Sequence, residues 1–522
     1  MEPKEIVKIY KKFYKEHSKP PTLEDFKDLG VTRQVIREKF KNLTNLHKAV
    51  REEHPNLFHD ISVEEALGNA DTLDLKDYKR YVITTAVTGC FVDEKFLNSL
   101  KHYCKIRKAR LIVLTCSDPA HRTADWSKLG HIDKRITEYV VPNEVYLNDN
   151  LFLCNIKTTA KQINPLTGLK RIAGKTKSFI MASPKMKLET IAASKDSYPK
   201  VAMTTMAVTK PDYSSEMYMS QRTAYLGEKD HKMGAVVVEI ESDKKFHFRH
   251  VEAAGDGSFI DECIKYTSNT KKPVRAEAVV FGDWHSGSTC PDTYKMGQEI
   301  CKLAKPEYLF VHDSFDGLSI NHHQDHNIVA KARAAESGLN SLSKELDKYV
   351  DDLVELSKLA DKLAIVYSNH DDFLHRYLQS GKFIKDSVNL KTALDLCYAY
   401  VNGKDPLQYA VEQRKKIDNI EWLNEDKDKV LSGRHFNHHG HRGPNGSRGS
   451  MKSLGQHLGA VVSGHTHSMA RDGDAVQVGT FTLKDLGYNV GLSSWTNTLG
   501  IQYYGGAMQL ITLIDGTYRL KD

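Results

Sequence analysis

The sequence predicts a mixed α/β protein with a small all-α N-terminal domain, an α/β middle domain and an α/β C-terminal domain. Helical periodicity fills the first block, strand-like and helix-like runs alternate after it, and polar clusters follow the strand-like runs of the last block. The predicted domains are residues 1–60, 75–265 and 270–522. A chain of 522 residues that is 40% hydrophobic and 27% charged is typical of a soluble globular protein of about three domains.

The first block predicts a helix-turn-helix. A capping-box pattern from Thr22 to Asp25 begins a second helix that ends at Gly30, and Thr32 can cap a third. We expect the following residues to be buried: Ile6, Ile9, Tyr10, Phe13, Leu23, Phe26, Leu29, Val31, Val35, Ile36 and Phe40. The exposed face of the third helix carries the predicted DNA contacts, which are Arg33, Gln34, Arg37 and Lys41. The alternative is a helical arm for protein assembly.

The middle block predicts a βαβ unit followed by a hairpin, but its function is not legible in the sequence. The strand-like runs are 81–87 and 111–115, with a helix-like stretch over 96–109, and the hairpin strands are 235–240 and 246–251. The loop Cys116–Trp126 follows a strand, although an ordinary surface loop is the favoured interpretation. Residues 157–200 hold ten Lys or Arg against Glu189 and Asp196, which predicts either a polyanion-binding surface or a solvated face.

The last block concentrates histidine at strand ends. Fourteen of the 24 histidines lie between His285 and His467, and the eight cysteines form no C-x-x-C pair. Strand-like runs at 278–281, 308–311, 364–367 and 460–463 are each followed by a polar cluster, and an amphipathic helix with Val350, Val354 and Leu363 on one face precedes the third. The clusters are Gly282-Asp283-Trp284-His285, His312-Asp313, Ser368-Asn369-His370-Asp371, His438-His439-Gly440-His441 and Gly464-His465-Thr466-His467.

In chain order, the patterns D-x-H, D-x-x-D, N-H-D, H-G and G-H-x-H resemble those of the calcineurin-like metallophosphoesterases. The resemblance covers residues 275 to about 485 and includes Val478-Gly479-Thr480 as the closing strand and turn. It implies a four-layer αββα sandwich and two divalent ions that activate a bridging water for phosphoester hydrolysis. Imidazole and carboxylate ligands favour Mn²⁺, with Mg²⁺, Fe²⁺ and Zn²⁺ as alternatives.

The resemblance also implies a role for each motif residue. Asp283, His285 and His467 would hold one ion, Asn369, His439 and His465 would hold the other, and Asp313 would bridge them. His438 is the rival to His439. His370 matches the motif histidine that stabilises the phosphoryl oxygen or protonates the leaving group.

Departures from the motifs disfavour a phosphoprotein phosphatase. His312 and Ser368 replace glycines before ligand positions. Gly317 follows Asp316 where those phosphatases carry a phosphate-binding arginine, and Asp371 stands where they have glutamate.

We therefore expect a metal-dependent phosphodiesterase that hydrolyses DNA, similar to the DNA repair nucleases of the superfamily and to phage-encoded DNA-degrading enzymes. Arg442 and Arg448 in the loop Gly440–Gly449 are further predicted DNA contacts, with a plain surface loop as the alternative. The alternative functions are a phosphatase or phosphodiesterase of nucleotides or other small molecules, and a DNA-binding protein with a non-catalytic metal site. We expect DNA as the partner, no membrane association and a cytoplasmic location, in the host if the gene is a phage gene. The sequence does not determine whether the chain forms a homo-oligomer.

Overall fold

The computed structural model of this chain is mixed α/β, as predicted. It describes all residues except 18–19, 69–77, 117–129, 142–143, 155, 157, 175–176, 195–196, 212–220, 322–326, 487–488 and 522. The loop that follows Cys116 therefore lies almost wholly outside the described residues.

The described residues of the N-terminal block form four helices, and the second and third have the caps that the sequence predicts. Thr22 and Asp25 make a reciprocal capping box, and the Thr32 side chain accepts a hydrogen bond from the Val35 amide. The helices bury one apolar cluster that includes Tyr10. The prediction that Leu29 is buried is wrong, because Leu29 lies just past the end of its helix and is 44% exposed. The helices are α1 (Pro3–His17), α2 (Leu23–Asp28), α3 (Arg33–Phe40) and α4 (Leu43–Glu53).

The next elements contain the predicted βαβ unit. They are β1 (Asp60–Ser62), α5 (Val63–Gly68), β2 (Arg80–Val87), α6 (Glu94–Arg107), β3 (Arg110–Cys116), β4 (His131–Asp133), β5 (Val145–Asn148), β6 (Leu151–Cys154), β7 (Ser178–Met181), β8 (Lys187–Ile191), β9 (Lys200–Thr204), α7 (Gln221–Lys229), β10 (Gly234–Ile240), β11 (Phe246–Glu252), β12 (Phe259–Asp261), β13 (Ile264–Tyr266) and β14 (Lys271–Pro273). Strands β2 and β3 are parallel, and β10 and β11 form the predicted antiparallel hairpin beside β2.

The C-terminal block continues this alternation. Its elements are β15 (Ala276–Asp283), α8 (Pro291–Ala304), β16 (Tyr308–His312), α9 (Ile328–Glu336), α10 (Leu342–Leu356), β17 (Lys362–Val366), α11 (Asp371–Gln379), α12 (Leu390–Val401), α13 (Pro406–Arg414), β18 (Ile420–Leu423), β19 (Val430–Leu431), β20 (Arg434–His435), α14 (Met451–Leu458), β21 (Val461–Ser463), β22 (Ala470–Asp472), β23 (Ala475–Gln477), β24 (Asn497–Tyr503) and β25 (Met508–Leu513). Leu363 lies in β17 and not on the preceding helix, so that detail of the prediction is wrong.

Two large sheets dominate the described part of the chain. Six strands are ordered β18-β17-β16-β15-β24-β25, and β15 to β18 run parallel. A second sheet of ten strands is ordered β19-β20-β21-β23-β22-β8-β9-β7-β6-β5. It draws strands from both the middle and the C-terminal block, joined where β22 pairs antiparallel with β8. The predicted boundary near residue 270 therefore does not separate two sheets.

The packing places helices on one face of the six-stranded sheet and the ten-stranded sheet on the other. Alternate residues of a strand point to opposite faces, so Val279 and Phe281 pack in the cluster that contains the helices. Ala278 and Val280 pack with residues of the second sheet, such as Val476. Helix α14 covers the far side of that sheet through Leu454.

All eight cysteines are free. In the described ranges, no helix has both the length and the apolar composition that a membrane crossing requires.

Candidate metal centre

The candidate metal residues meet where strands of the two large sheets end. Asp283 ends β15, Asp313 directly follows β16, and His465 and His467 follow β21. The structure brings together all seven predicted ligands, which are Asp283, His285, Asp313, Asn369, His439, His465 and His467.

One half of this cluster consists of Asp283, His285, Asp313 and His467, all buried. His285 Nε2 lies 3.2 Å from His467 Nε2, and His467 Nε2 lies 3.1 Å from Asp283 Oδ2. One ligand atom from each of the four residues fits within 4.8 Å of the others, so the group could hold a single ion. Two carboxylates and two imidazoles form a donor set suited to a first-row transition metal.

The other half surrounds Asn369. Its Oδ1 lies 3.1 Å from His439 Nε2 and 3.0 Å from His465 Nδ1. Asp313 Oδ2 is 3.2 Å from His439 Nε2 and 3.7 Å from His285 Nε2, so this carboxylate lies between the two halves. That is the position expected of a bridging ligand, although metal binding itself stays a prediction.

His439, and not His438, is the histidine in this cluster. The His439 side chain is fully buried beside Asp313. His438 is half-buried and faces His435, with their ring centroids 6.4 Å apart, in a separate group with Asp428.

The buried polar atoms of the cluster fit a bound cation. Among the described residues, Asp313 Oδ1 and His439 Nδ1 are buried atoms without a hydrogen-bond partner. Burying a carboxylate is costly unless a cation or a donor compensates its charge. A divalent ion held by this cluster would supply that compensation.

Four of the seven predicted ligands have left-handed backbone. The φ angles are 47° at His285, 42° at Asp313, 75° at His465 and 60° at His467. Residues other than glycine rarely adopt such angles, and those that do cluster at functional sites. The turns are held by cross-strand hydrogen bonds, including one of 2.8 Å from the His285 amide to the Asp313 carbonyl.

Two glycines allow close packing around the cluster, Gly464 against Asp283 and Gly479 against Thr496. A Cβ on Gly464 would lie 2.2 Å from Asp283 Oδ1, and one on Gly479 would lie 1.9 Å from the Thr496 carbonyl oxygen. The His465 amide donates to the same Asp283 Oδ1 at 3.1 Å, so the tight turn at Gly464 also orients the carboxylate.

Charges in the cluster stabilise one another. Burial opposes ionisation of Asp283, but His439 and His467 outweigh it and lower the pKa of the carboxyl to about 2. Burial likewise opposes protonation of His285, yet its hydrogen bond to Asp316 and the charge of Asp313 raise the pKa of the ring to about 9. The Asp283 carboxylate is thus ionised at neutral pH and could serve as a negatively charged metal ligand.

His370, the predicted catalytic residue, lies beside the cluster. Its ring centroid is 4.5 Å from that of His285, and its Nδ1 is 2.6 Å from the Asp316 carbonyl oxygen. Because a carbonyl oxygen only accepts, Nδ1 carries the proton in this contact. Nε2 is then the other ring nitrogen available to a substrate.

Asp316 orients His285, a role that the sequence did not reveal. Its Oδ1 accepts a hydrogen bond of 3.0 Å from His285 Nδ1 and leaves His285 Nε2 directed at the cluster. The D-x-x-D spacing of Asp313 and Asp316 was the sequence feature that could have indicated this role. Asp371 adds a buried carboxyl whose pKa is raised by burial to about 7, although the Ser368 amide donates to it at 2.6 Å.

The two predicted DNA contacts near the cluster, Arg442 and Arg448, differ in their surroundings. The Arg442 guanidinium donates to both oxygens of Asp372 at 2.7 and 2.8 Å and to Glu425 at 3.3 Å. Arg448 is exposed in the same loop. An arginine paired with two carboxylates has less charge to offer a phosphate.

The remaining predicted contacts lie far along the chain from the cluster. Arg33, Gln34, Arg37 and Lys41 are all exposed on or just after α3. Several lysines of residues 157–200 form ion pairs within the protein, which are Lys170–Glu189, Lys185–Asp230 and Lys187–Asp472. Because Asp230 and Asp472 lie outside the stretch, two of these pairs offset part of its surplus positive charge.

Comparison with known proteins gives one informative likeness. The chain is 28% identical over 481 residues to protein A1 of Escherichia phage T5, which covers 85% of this chain and 84% of that protein. No family model matches the chain. No solved structure matches it. The likeness supports the expectation that the gene is a phage gene.

Proposed function

We propose that this protein is a metal-dependent phosphodiesterase that hydrolyses DNA. The observation that supports it most directly is the buried carboxylate between two groups of imidazoles: Asp313 Oδ2 is 3.7 Å from His285 Nε2 and 3.2 Å from His439 Nε2. Such a donor set fits two divalent ions that share one carboxylate.

The seven predicted ligands would hold the two ions, Mn²⁺ first among the candidates. Bound there, the ions would make a water molecule more acidic and neutralise charge on the phosphoryl group. The left-handed turns at Asp313, His465 and His467 set the backbone from which these side chains project. Preorganised donors cost no reorganisation during the reaction.

His370 would act on the phosphoryl oxygen or the leaving group. The Asp316 carbonyl fixes the ring by accepting from Nδ1, so Nε2 is the nitrogen that would meet the substrate. Asp316 thus orients two histidines, His285 through its carboxylate and His370 through its backbone.

Exposed basic side chains support DNA as the substrate. Arg33 and Arg37 are exposed on α3, the helix that would enter a groove in a helix-turn-helix, and the exposed Lys41 directly follows it.

A second candidate is a phosphatase or phosphodiesterase of small molecules. Arg442, one of the two arginines in the loop that follows His439, is paired with Asp372 and Glu425. This pairing reduces the positive charge available to a polynucleotide next to the cluster and favours a compact substrate.

One assay separates these functions. Protein stripped with EDTA and reloaded with Mn²⁺ is incubated with bis(p-nitrophenyl) phosphate, plasmid DNA and mononucleotides. We expect metal-dependent cleavage of the aryl diester and of plasmid DNA. Full activity in EDTA would contradict the metal mechanism, and hydrolysis of mononucleotides without nicking of DNA would favour the second candidate. No hydrolysis of any substrate would indicate a non-catalytic metal site.

A further inference from the structure

A groove of about 690 Å³ opens beside the candidate metal centre. Its floor includes Phe373, whose ring centroid is 4.6 Å from that of His370. One wall is formed by Leu318 to Asn321, which directly follow the segment that carries Asp313 and Asp316. The groove is therefore adjacent to His370, the predicted catalytic residue.

Basic side chains surround this groove. Lys331 on α9, Arg376 on α11, and Lys382 and Lys385 after α11 all line it and are exposed. The acid among its lining residues is Asp386, whose Oδ2 accepts from Tyr377 Oη and Asn389 Nδ2, both at 2.8 Å. Arg376 Nη2 also lies 3.8 Å from Asp372 Oδ2, an acid that does not line the groove. The lining itself holds four cations and one hydrogen-bonded carboxylate, which gives it a net positive charge.

The basic residues extend away from the metal centre along α11. Arg376 is six residues beyond His370, and Lys382 lies past the end of the helix. At ~1.5 Å per residue, the helix rises roughly 9 Å from His370 to Arg376 and roughly 14 Å from His370 to its last residue, Gln379. A nucleic acid strand advances about 3.4 Å per nucleotide, so this distance corresponds to roughly three or four nucleotides.

We propose that this groove, which we call the basic groove, binds the sugar–phosphate backbone of the polynucleotide on one side of the bond that is cut. The inference rests on the proposed function and adds the path of the substrate strand. Charged contacts to successive phosphates supply affinity without reading the base sequence. A single nucleotide held at the metal centre would not extend to Lys382 and Lys385.

The test compares two double variants of the full chain loaded with Mn²⁺. Lys382→Gln/Lys385→Gln removes two charges from the basic groove. Lys415→Gln/Lys416→Gln is the matched control, because both lysines are exposed and neither lines the groove. We measure kcat/KM for a single-stranded oligonucleotide across a range of salt concentrations, kcat/KM for bis(p-nitrophenyl) phosphate, and the melting temperature of each variant.

For the groove variant we expect kcat/KM on the oligonucleotide to fall roughly 10- to 30-fold at 0.1 M salt, mainly through KM. Its dependence on salt should also weaken by about 1.4 in the slope of log kcat/KM against log salt, or ~0.7 for each lost phosphate contact. Hydrolysis of the aryl diester should not change. If the groove variant fails to fold, Arg376→Gln replaces it and should lower the slope by about 0.7.

Each other outcome overturns the inference in a distinguishable way. Oligonucleotide cleavage that equals the control variant's would place the strand elsewhere. Inhibition of the unmodified chain by a nucleoside monophosphate, lost in the groove variant, would assign the basic groove to a single phosphate and not to a backbone. An unmodified chain that cleaves the aryl diester but no oligonucleotide would overturn the DNA function itself.

Discussion

The proposed bridging role should make Asp313 the most sensitive single residue of the cluster. Asp313→Asn should lower metal content and reduce hydrolysis of an aryl phosphodiester by more than 10²-fold, because one carboxylate faces both halves of the site. Elemental analysis and steady-state rates measure the two effects. Asp316→Asn is the control, since an amide oxygen can still accept from His285, and it should cost about 10- to 100-fold. Equal metal content and activity in both variants would exclude a bridging role.

His370 should separate metal binding from chemistry. His370→Gln should leave metal content near that of the unmodified chain and lower kcat by roughly 10² to 10⁴, the usual contribution of a proton donor. Glutamine can still donate to the Asp316 carbonyl, which keeps the local packing. Loss of metal in this variant would mean that His370 is a ligand and that its predicted role is wrong.

The candidate ligands could be predicted because each belongs to a short sequence pattern, a run of apolar residues followed by a polar cluster. Asp283 ends β15 and Asp313 follows its parallel neighbour β16, and the ends of parallel strands meet at one edge of a sheet. His465 follows the short apolar strand β21 of the second sheet. The partners of Arg442 could not be predicted, since Asp372 lies 70 residues away and only the fold brings them together.

At the scale of elements, α3 is expected to supply DNA affinity and no chemistry. Arg33→Ala/Arg37→Ala should weaken binding to duplex DNA and reduce the slope of log K against log salt by about 1.8, because each lost phosphate contact contributes ~0.9. Lys8→Ala/Lys12→Ala is the matched control on α1, where both lysines are exposed. Binding is measured by fluorescence anisotropy.

The same variants address the alternative role of the N-terminal helices. Aryl diester hydrolysis should stay unchanged in both, since none of the seven predicted ligands lies in α1 to α4. Unchanged DNA binding together with an altered assembly state on light scattering would identify the helices as an assembly arm.

Element boundaries were predictable where a side chain caps its own helix. The Thr22 and Thr32 caps need only residues three positions away, so the sequence contains the whole interaction. Leu29 was mispredicted because an apolar residue at a helix end belongs to the core only if a neighbouring element covers it.

At the scale of the whole molecule, buried neutral histidines should make stability depend on pH. Burial lowers the pKa of His250 to about 3, with Arg471 adding to the effect, and lowers that of His231 to about 4. Both lie below the ordinary value of about 6.5, so the unfolded chain binds more protons in acid. The stability they provide is complete above pH 6.5 and is lost as the pH falls toward 4 and 3.

The expected loss is roughly 2 kcal/mol per histidine at pH 5. His250 Nε2 donates to the Thr204 carbonyl at 2.8 Å and joins β11 to β9, so His250→Gln keeps a donor while removing the titration. The fall in melting temperature between pH 7 and pH 5 should be smaller in this variant than in the unmodified chain. An equal fall would show that His250 does not titrate on unfolding.

The ten-stranded sheet is the feature that the sequence did not predict. Its strands β5 to β9 are short and come from a block whose composition suggested a separate domain. Hydrophobic periodicity predicts which face of a strand is buried but not which strand it pairs with. Strand β8 pairs with β22, from which it is separated in sequence by most of the C-terminal block.

That sheet has a consequence for synthesis of the chain. Lys187 on β8 and its partner Asp472 on β22 are 285 residues apart, so β8 leaves the ribosome long before β22 exists. At 5–20 residues per second the interval is roughly 15 to 60 s. During it, β8 is an edge strand with open backbone donors and acceptors, a template for pairing with another nascent chain. The yield of folded protein should therefore depend on translation speed and on chaperones that cover this edge.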